Sequence, residues 1–101
     1  MLVRLETADD VRRERITQLL RYSINGHSED IDNLQLNVET MRDPLGTELH
    51  RCRLRALLRH GPPIEVEEVQ SRLDLTVTRA LERCVRTIQR RRRASMQRHF
   101  A

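Results

Sequence analysis

The sequence contains no lysine and no tryptophan, and Tyr22 and Phe100 are its only aromatic residues. A core assembled from it must therefore rely on Leu, Val, Ile and Ala, which supply less buried area per residue than aromatic rings do. Only three glycines and three prolines punctuate the chain, and the phosphate-loop glycine pattern and the serine-hydrolase elbow are both missing. No apolar run approaches the ~20 residues that a membrane-spanning helix needs. The first residues, Met1–Asp10, lack the apolar core of a secretory signal, so the expected location is the cytoplasm. Two cysteines, Cys52 and Cys84, stand alone on apolar positions, as small buried hydrophobes do in a reducing compartment.

Catalysis finds little support. His27, His50, His60 and His99 lie far apart, with no Cys or Asp at ligand spacing. The acids are spread along the chain rather than paired. The expectation is a binding protein, not an enzyme, with no cofactor and no metal.

What the chain has is charge, unevenly placed. All 19 basic residues are arginine, an outcome that GC-rich coding alone can produce, although the planar guanidinium also suits phosphate and carboxylate partners. Residues 1–50 carry six Arg against ten acids, a net of −4, whereas residues 51–101 carry 13 Arg against five acids, a net of +8. No acid follows Glu82. Such polarity favours an anionic partner for the second half, or self-association.

Hydrophobic spacing reads as helical. Thr7 caps a first helix carrying Val11, Ile16, Leu19, Leu20 and Ile24, which stops at Asn25-Gly26. Ile31, Leu34, Val38, Met41 and Leu45 then recur at intervals of 3, 4, 3 and 4, continued by Leu49. Asp43-Pro44 reads as a cap with proline at the first helical position, opening a third helix that ends at His60-Gly61-Pro62-Pro63. Val66, Val69, Leu73, Val77, Ala80, Leu81, Cys84 and Ile88 suggest a last helical stripe, either one long helix or two. The resulting fold class is all-α: three to four amphipathic helices forming a hairpin plus a long or helix-turn-helix C-terminal segment. Residues 1–93 make a single helical domain and 94–101 a frayed basic tail. Helices this poor in bulky side chains are expected to complete their core as a homodimeric bundle, with Ile31, Leu34, Val38, Met41, Leu45 and Leu49 as the dimer or partner interface.

The most pointed chemistry lies near the end. Arg83, Arg86 and Arg90 sit 3 and 4 apart and lead into Arg91, Arg92 and Arg93, a ridge suited to phosphates or an acidic partner, although cations also suit a helix C-terminus for its own sake. Aromatics for base stacking are missing beside the run, which argues against single-strand recognition. Arg92-Arg93-Ala94-Ser95 also matches a basophilic kinase site, a short pattern.

Residues 57–80 look like the helix-turn-helix of bacterial winged-helix regulators: Thr76 would cap a recognition helix and aim Arg79, Arg83 and Arg86 at the major groove. Gln70 and Asp74 depart from that motif, which has Ala and Gly there. Val38-Glu39-Thr40-Met41-Arg42-Asp43 followed by Glu48-Leu49-His50-Arg51-Cys52-Arg53-Leu54 resembles the biofilm and acid-resistance regulators of the AriR type, over residues from about 14 to 60. That resemblance implies a small helical dimer that regulates transcription by contacting DNA or a regulatory protein. The expected function is accordingly a dimeric transcriptional regulator binding double-stranded DNA, or an acidic regulatory protein, through Arg79, Arg83, Arg86 and Arg90–Arg93. The alternative is a protein-only adaptor, connector or secretion-type chaperone that offers its apolar seam to a partner helix.

Overall fold

The computed structural model describes residues 1–100, with side chains placed through Met96. It is α/β, not all-α. Strand β1 (Leu2–Glu6) leads into helix α1 (Asp10–Ile24), three strands follow as β2 (Ile31–Arg42), β3 (Glu48–Leu58) and β4 (Ile64–Gln70), and helix α2 (Leu73–Phe100) ends the chain. The sheet order is β1-β2-β3-β4, with β1 parallel to β2 and the other neighbours antiparallel.

Period-two alternation explains why residues 31–70 are strands. In β2, Leu34, Leu36 and Val38 are buried between Asn33, Gln35, Asn37 and Glu39. In β3, Cys52, Leu54 and Ala56 are buried between Arg51, Arg53 and Arg55. A helix would scatter these sets around its axis, whereas a strand puts each on one face. The helix-like interval between Ile31 and Leu34 comes from a register shift between Ile31 and Asn33, where one extra residue lets two positions three apart face the same core. The four-residue step from Leu34 to Val38 suits a strand equally, and the next step carries Met41 to the opposite face. There is no helical seam.

The punctuation is likewise that of a sheet. Asp43-Pro44-Leu45-Gly46 is the β2–β3 hairpin turn, not a helix start. The Leu45 and Thr47 backbone N–H groups donate to Asp43 Oδ1 at 2.9 and 2.8 Å, and the Gly46 N–H donates to the Asp43 carbonyl at 2.9 Å. Asp, Pro and Gly occupy the first, second and fourth positions that such a turn favours, and Gly46 takes φ +84°. His60-Gly61-Pro62-Pro63 joins β3 to β4 rather than ending a helix. The chain from 57 to 80 therefore holds two strand segments and a helix start, and no helix-turn-helix. Residues 14–60 fold as most of α1 and a β-hairpin, so the expected helical hairpin is replaced as well.

Helix α1 lies where its pattern suggests, but Asp9 rather than Thr7 caps it, accepting the Arg12 backbone N–H at 2.7 Å. It stops after Asn25, with Gly26 at φ +87°. The parallel β1–α1–β2 crossover sets α1 on one face of the sheet, and α2 returns over the same face. Arg15 meets Asp74 near the helix starts, and Tyr22 and Ser23 lie opposite residues 82–89, so the two helices run side by side in one direction. Between helices and sheet lies one core: Ile16, Leu20 and Ile24 from α1, Val77, Ala80, Leu81, Cys84 and Ile88 from α2, and the inward strand residues. Ile31, Leu34 and Val38, expected on a pairing surface, fill this core within one chain. Leu45 stands 92% exposed on the turn, Met41 is exposed and Leu49 partly buried.

α2 is continuous across the expected boundary at residue 93, and Ala101 of the expected tail lies outside the described residues. Among the described residues, no helix is long and apolar enough to cross a membrane.

Candidate nucleic-acid interface

The two faces of this molecule differ in charge. On the face of the sheet that the helices leave open, four arginines meet four glutamates one to one: Arg4–Glu6 at 3.3 Å, Arg51–Glu39 at 2.7 Å, Arg53–Glu67 at 3.8 Å and Arg55–Glu65 at 3.7 Å. Three of these pairs are cross-strand neighbours in register, so the pleat itself aligns them. A shallow depression of about 550 Å³ on this face is lined by Arg4, Glu6, Arg53, Arg55, Glu65 and Glu67, among others. A polyanion approaching here finds no net attraction.

The helix layer is the opposite. Together α1 and α2 carry 12 Arg against four acids, Asp10, Glu14, Asp74 and Glu82. Three-dimensional placement divides the expected ridge into two sets. Arg83 turns down to β4, donating to Glu68 at 2.9 Å and to the Glu67 carbonyl at 3.0 Å. Arg91 donates to the Pro62 carbonyl at 2.5 Å, and Arg92 grips Asp30 at 2.7 and 2.8 Å. Arg83 thus fastens the middle of α2 to β4, and Arg91 and Arg92 fasten its later turns to the loops that lead into β4 and β2.

Arg79, Arg86, Arg90 and Arg93 form the other set. Their spacing of 7, 4 and 3 places them on one helical stripe, opposite the line of Val77, Ala80, Leu81, Cys84 and Ile88. All four are exposed, and among the described residues none of them has an ion pair. Arg90 donates only to Thr87 within its own helix, at 3.4 Å. From Arg79 to Arg93 the stripe runs for about 21 Å at the ordinary rise of a helix. Fixed on a packed helix, such a row can meet successive phosphates without first ordering a loop.

Across the groove from Arg86 lies a residue that the arginine pattern did not single out, Tyr22 of α1, which is 89% exposed. The signal for it was weak, because α1 belongs to the acidic half of the chain and Tyr22 meets Arg86 only once the helices pack. No group of three or more His, Cys, Asp or Glu that could hold a metal occurs among the described residues. His50 is buried on the core face, within 3.3 Å of the Thr40 hydroxyl, and Cys52 and Cys84 are buried free thiols.

No family model and no curated protein matches the chain. Solved structures do. The N-terminal domain of Protein Y from Thermus thermophilus superposes with a TM-score of 0.61 at 18% identity, over 89% of this chain and 98% of that one. The fold is shared with Protein Y. A ribosomal subunit interface protein from Coxiella burnetii superposes with a TM-score of 0.71 at 14% identity, over 91% of this chain and 98% of its own. The likeness to Protein Y is one of fold. The transcription-regulator expectation is overturned with it: the segment expected to precede the recognition helix is strand and turn, and the residues from Thr76 onward belong to the single long helix α2 packed on the sheet. The partner-helix adaptor goes with it, because Ile31, Leu34 and Val38 of its seam are closed inside the core and Met41 and Leu45 point elsewhere.

Proposed function

We propose that this chain binds the ribosome, laying the outer face of its helices on structured ribosomal RNA. The observation that carries this reading is the unpaired stripe Arg79, Arg86, Arg90 and Arg93 on a fold shared with a ribosomal subunit interface protein. Two features support it further. The open sheet face is neutralised pair by pair, so attraction to a polyanion is confined to one side. The stripe is straight and presents charge at helical intervals, which suits phosphate contacts and needs no base readout. Action on the ribosome sets the chain in the cytoplasm and asks for binding, not catalysis.

Co-sedimentation with purified ribosomal subunits tests the reading. Binding is expected to weaken with salt, with a log–log slope of roughly −3 to −4 for four neutralised phosphates. A variant combining Arg79→Gln, Arg86→Gln, Arg90→Gln and Arg93→Gln should keep its melting temperature and lose most of this binding. A parent chain that stays in the supernatant at low salt, or a quadruple variant that sediments like the parent, overturns the proposal.

A further inference from the structure

The chain has two aromatic residues in all, and one of them, Tyr22, is withheld from the core at 89% exposure. It stands in the last turn of α1, where Leu20 and Ile24 on either side turn inward. Across from it runs α2, and between the helices lies a groove of about 370 Å³ lined by Tyr22, Ser23, Glu82, Val85, Arg86 and Gln89. In sequence Tyr22 is remote from every arginine of the C-terminal run. In the fold it shares this groove with Arg86, a member of the unpaired stripe.

An exposed tyrosine alone needs no explanation. The company it keeps here is specific. The ring offers a π-face, and Val85, packed against the core from the groove's other wall, adds apolar surface. Arg86 supplies a cation free of any ion pair among the described residues. Ser23, Glu82 and Gln89 bring hydroxyl, carboxylate and amide groups, able to donate to or accept from the edge of a planar heterocycle. A stacking plate beside a phosphate-binding cation is what an unpaired nucleotide requires, and a duplex cannot use it because its bases are already stacked.

We propose that the groove between α1 and α2 is a subsite for one unpaired RNA nucleotide, its base stacked on Tyr22 and its phosphate held by Arg86. The subsite rests on the ribosomal RNA reading and refines it: the arginine stripe follows a folded RNA backbone, while the groove takes a base that projects from it. Binding should then favour RNA with an unpaired nucleotide over uniform duplex, a preference that the stripe alone cannot produce.

The chain reports on this site itself, because Tyr22 is its only tyrosine and it has no tryptophan. Tyrosine emission is followed while a mixed-sequence single-stranded RNA octamer, or the duplex it forms with its complement, is added to the full chain. Fluorescence anisotropy of end-labelled RNA measures affinity for the same two probes. The single strand should quench Tyr22, and the duplex should bind without quenching. Tyr22→Ala should weaken single-strand binding by about five- to a hundredfold and leave duplex binding unchanged, with Tyr22→Phe retaining most of the parent affinity. Circular dichroism should show each variant folded, since the ring is outside the core. A Tyr22→Ala chain that binds the single strand as tightly as the parent, or equal quenching by both RNAs, overturns the subsite and leaves the ribosomal reading standing. Failure of the parent to bind either RNA overturns both.

Discussion

Arg15 holds Asp74 with two-pronged geometry across 59 residues of sequence: its Nε lies 3.2 and 3.1 Å from the two carboxylate oxygens, and a terminal nitrogen lies 2.6 Å from Oδ2. The pair ties the first half of α1 to the first turn of α2, fixing how the two basic helices lie side by side. Donation from Arg15 holds the Asp74 carboxyl below its ordinary value, with the charges of Arg15 and Arg72 adding to the effect.

The sign of the resulting pH dependence follows. A carboxyl whose pKa is lowered by folding stabilises the native state fully above its unfolded value, about 3.9, and loses that contribution as pH falls through the lower folded value. Asp74→Asn should therefore melt slightly below the parent at pH 7, and the gap should be smaller at pH 2. Since both side chains are largely solvated, the effect is small. Thermal melts at the two pH values check this, and an equal gap at both would mean the ion pair is not its source.

Leu36 and Leu45 make a contrasting pair. Leu36 is 1% exposed, between the layers, and Leu45 is 92% exposed on a turn. Leu36→Ala should cost about 2–5 kcal/mol through lost transfer energy and an unfilled cavity. Leu45→Ala should stay within about 0.5 kcal/mol of the parent. Chemical denaturation of both variants gives the two values directly, and a helical seam through Leu45 would require the reverse order.

That contrast shows what the sequence made legible. Ile31, Leu34, Val38, Met41 and Leu45 satisfy a helical period, but the match arises from a bulge after Ile31, a strand step of four, a change of face and a turn. The alternation of Asn33-Leu34-Gln35-Leu36-Asn37-Val38-Glu39 and of His50-Cys52-Leu54-Ala56 with three arginines was the stronger regularity, and it is carried by Leu36, which the helical spacing passes over. Asp43-Pro44 fits a helix start equally well until Gly46 is taken as the fourth residue of a turn. Elsewhere local chemistry was enough. Gly26 ends α1, and Val77, Ala80, Leu81, Cys84 and Ile88 share one face of α2. The arginine run is visible in the sequence, but its division into bracing and free members depends on Asp30, Pro62 and Glu68, whose positions only the folded sheet defines. Once Ile31, Leu34 and Val38 are covered within one chain, the reason for expecting a dimer from them is also gone.

The hairpin turn yields a third prediction. Gly46 has φ +84° with nothing within 4 Å of where a Cβ would stand, so Gly46→Ala meets backbone strain without a clash. The cost should be about 1–2 kcal/mol. Asp43→Ala, which removes the acceptor for two turn N–H groups, should cost about 1 kcal/mol. Urea titration of the two variants would measure both, and a Gly46→Ala chain as stable as the parent would rule out the left-handed turn.

The cysteines yield the fourth. Burial pushes the Cys52 thiol up to about 12 and the Cys84 thiol up to about 11. Unfolded thiols ionise near 8.5, so above that pH the unfolded chain has lost protons that the native chain still holds, and native stability falls as pH rises. The stability of the Cys52→Ala, Cys84→Ala double variant should decline less between pH 8 and 10. In the parent, both thiols should react with a thiol reagent only at the rate of unfolding. Rapid labelling at pH 8 would show that one of them is reachable from solvent.

The paired face of the sheet also shapes the approach to a target. Because Arg4, Arg51, Arg53 and Arg55 are each matched by a glutamate, the excess positive charge is displaced toward the helices, giving the molecule a lopsided field. Near a polyanion this field exerts a torque before any atoms touch, turning the helices forward and the sheet away. Random collisions with such a surface would thus be sorted into one landing posture, with the neutral side outermost.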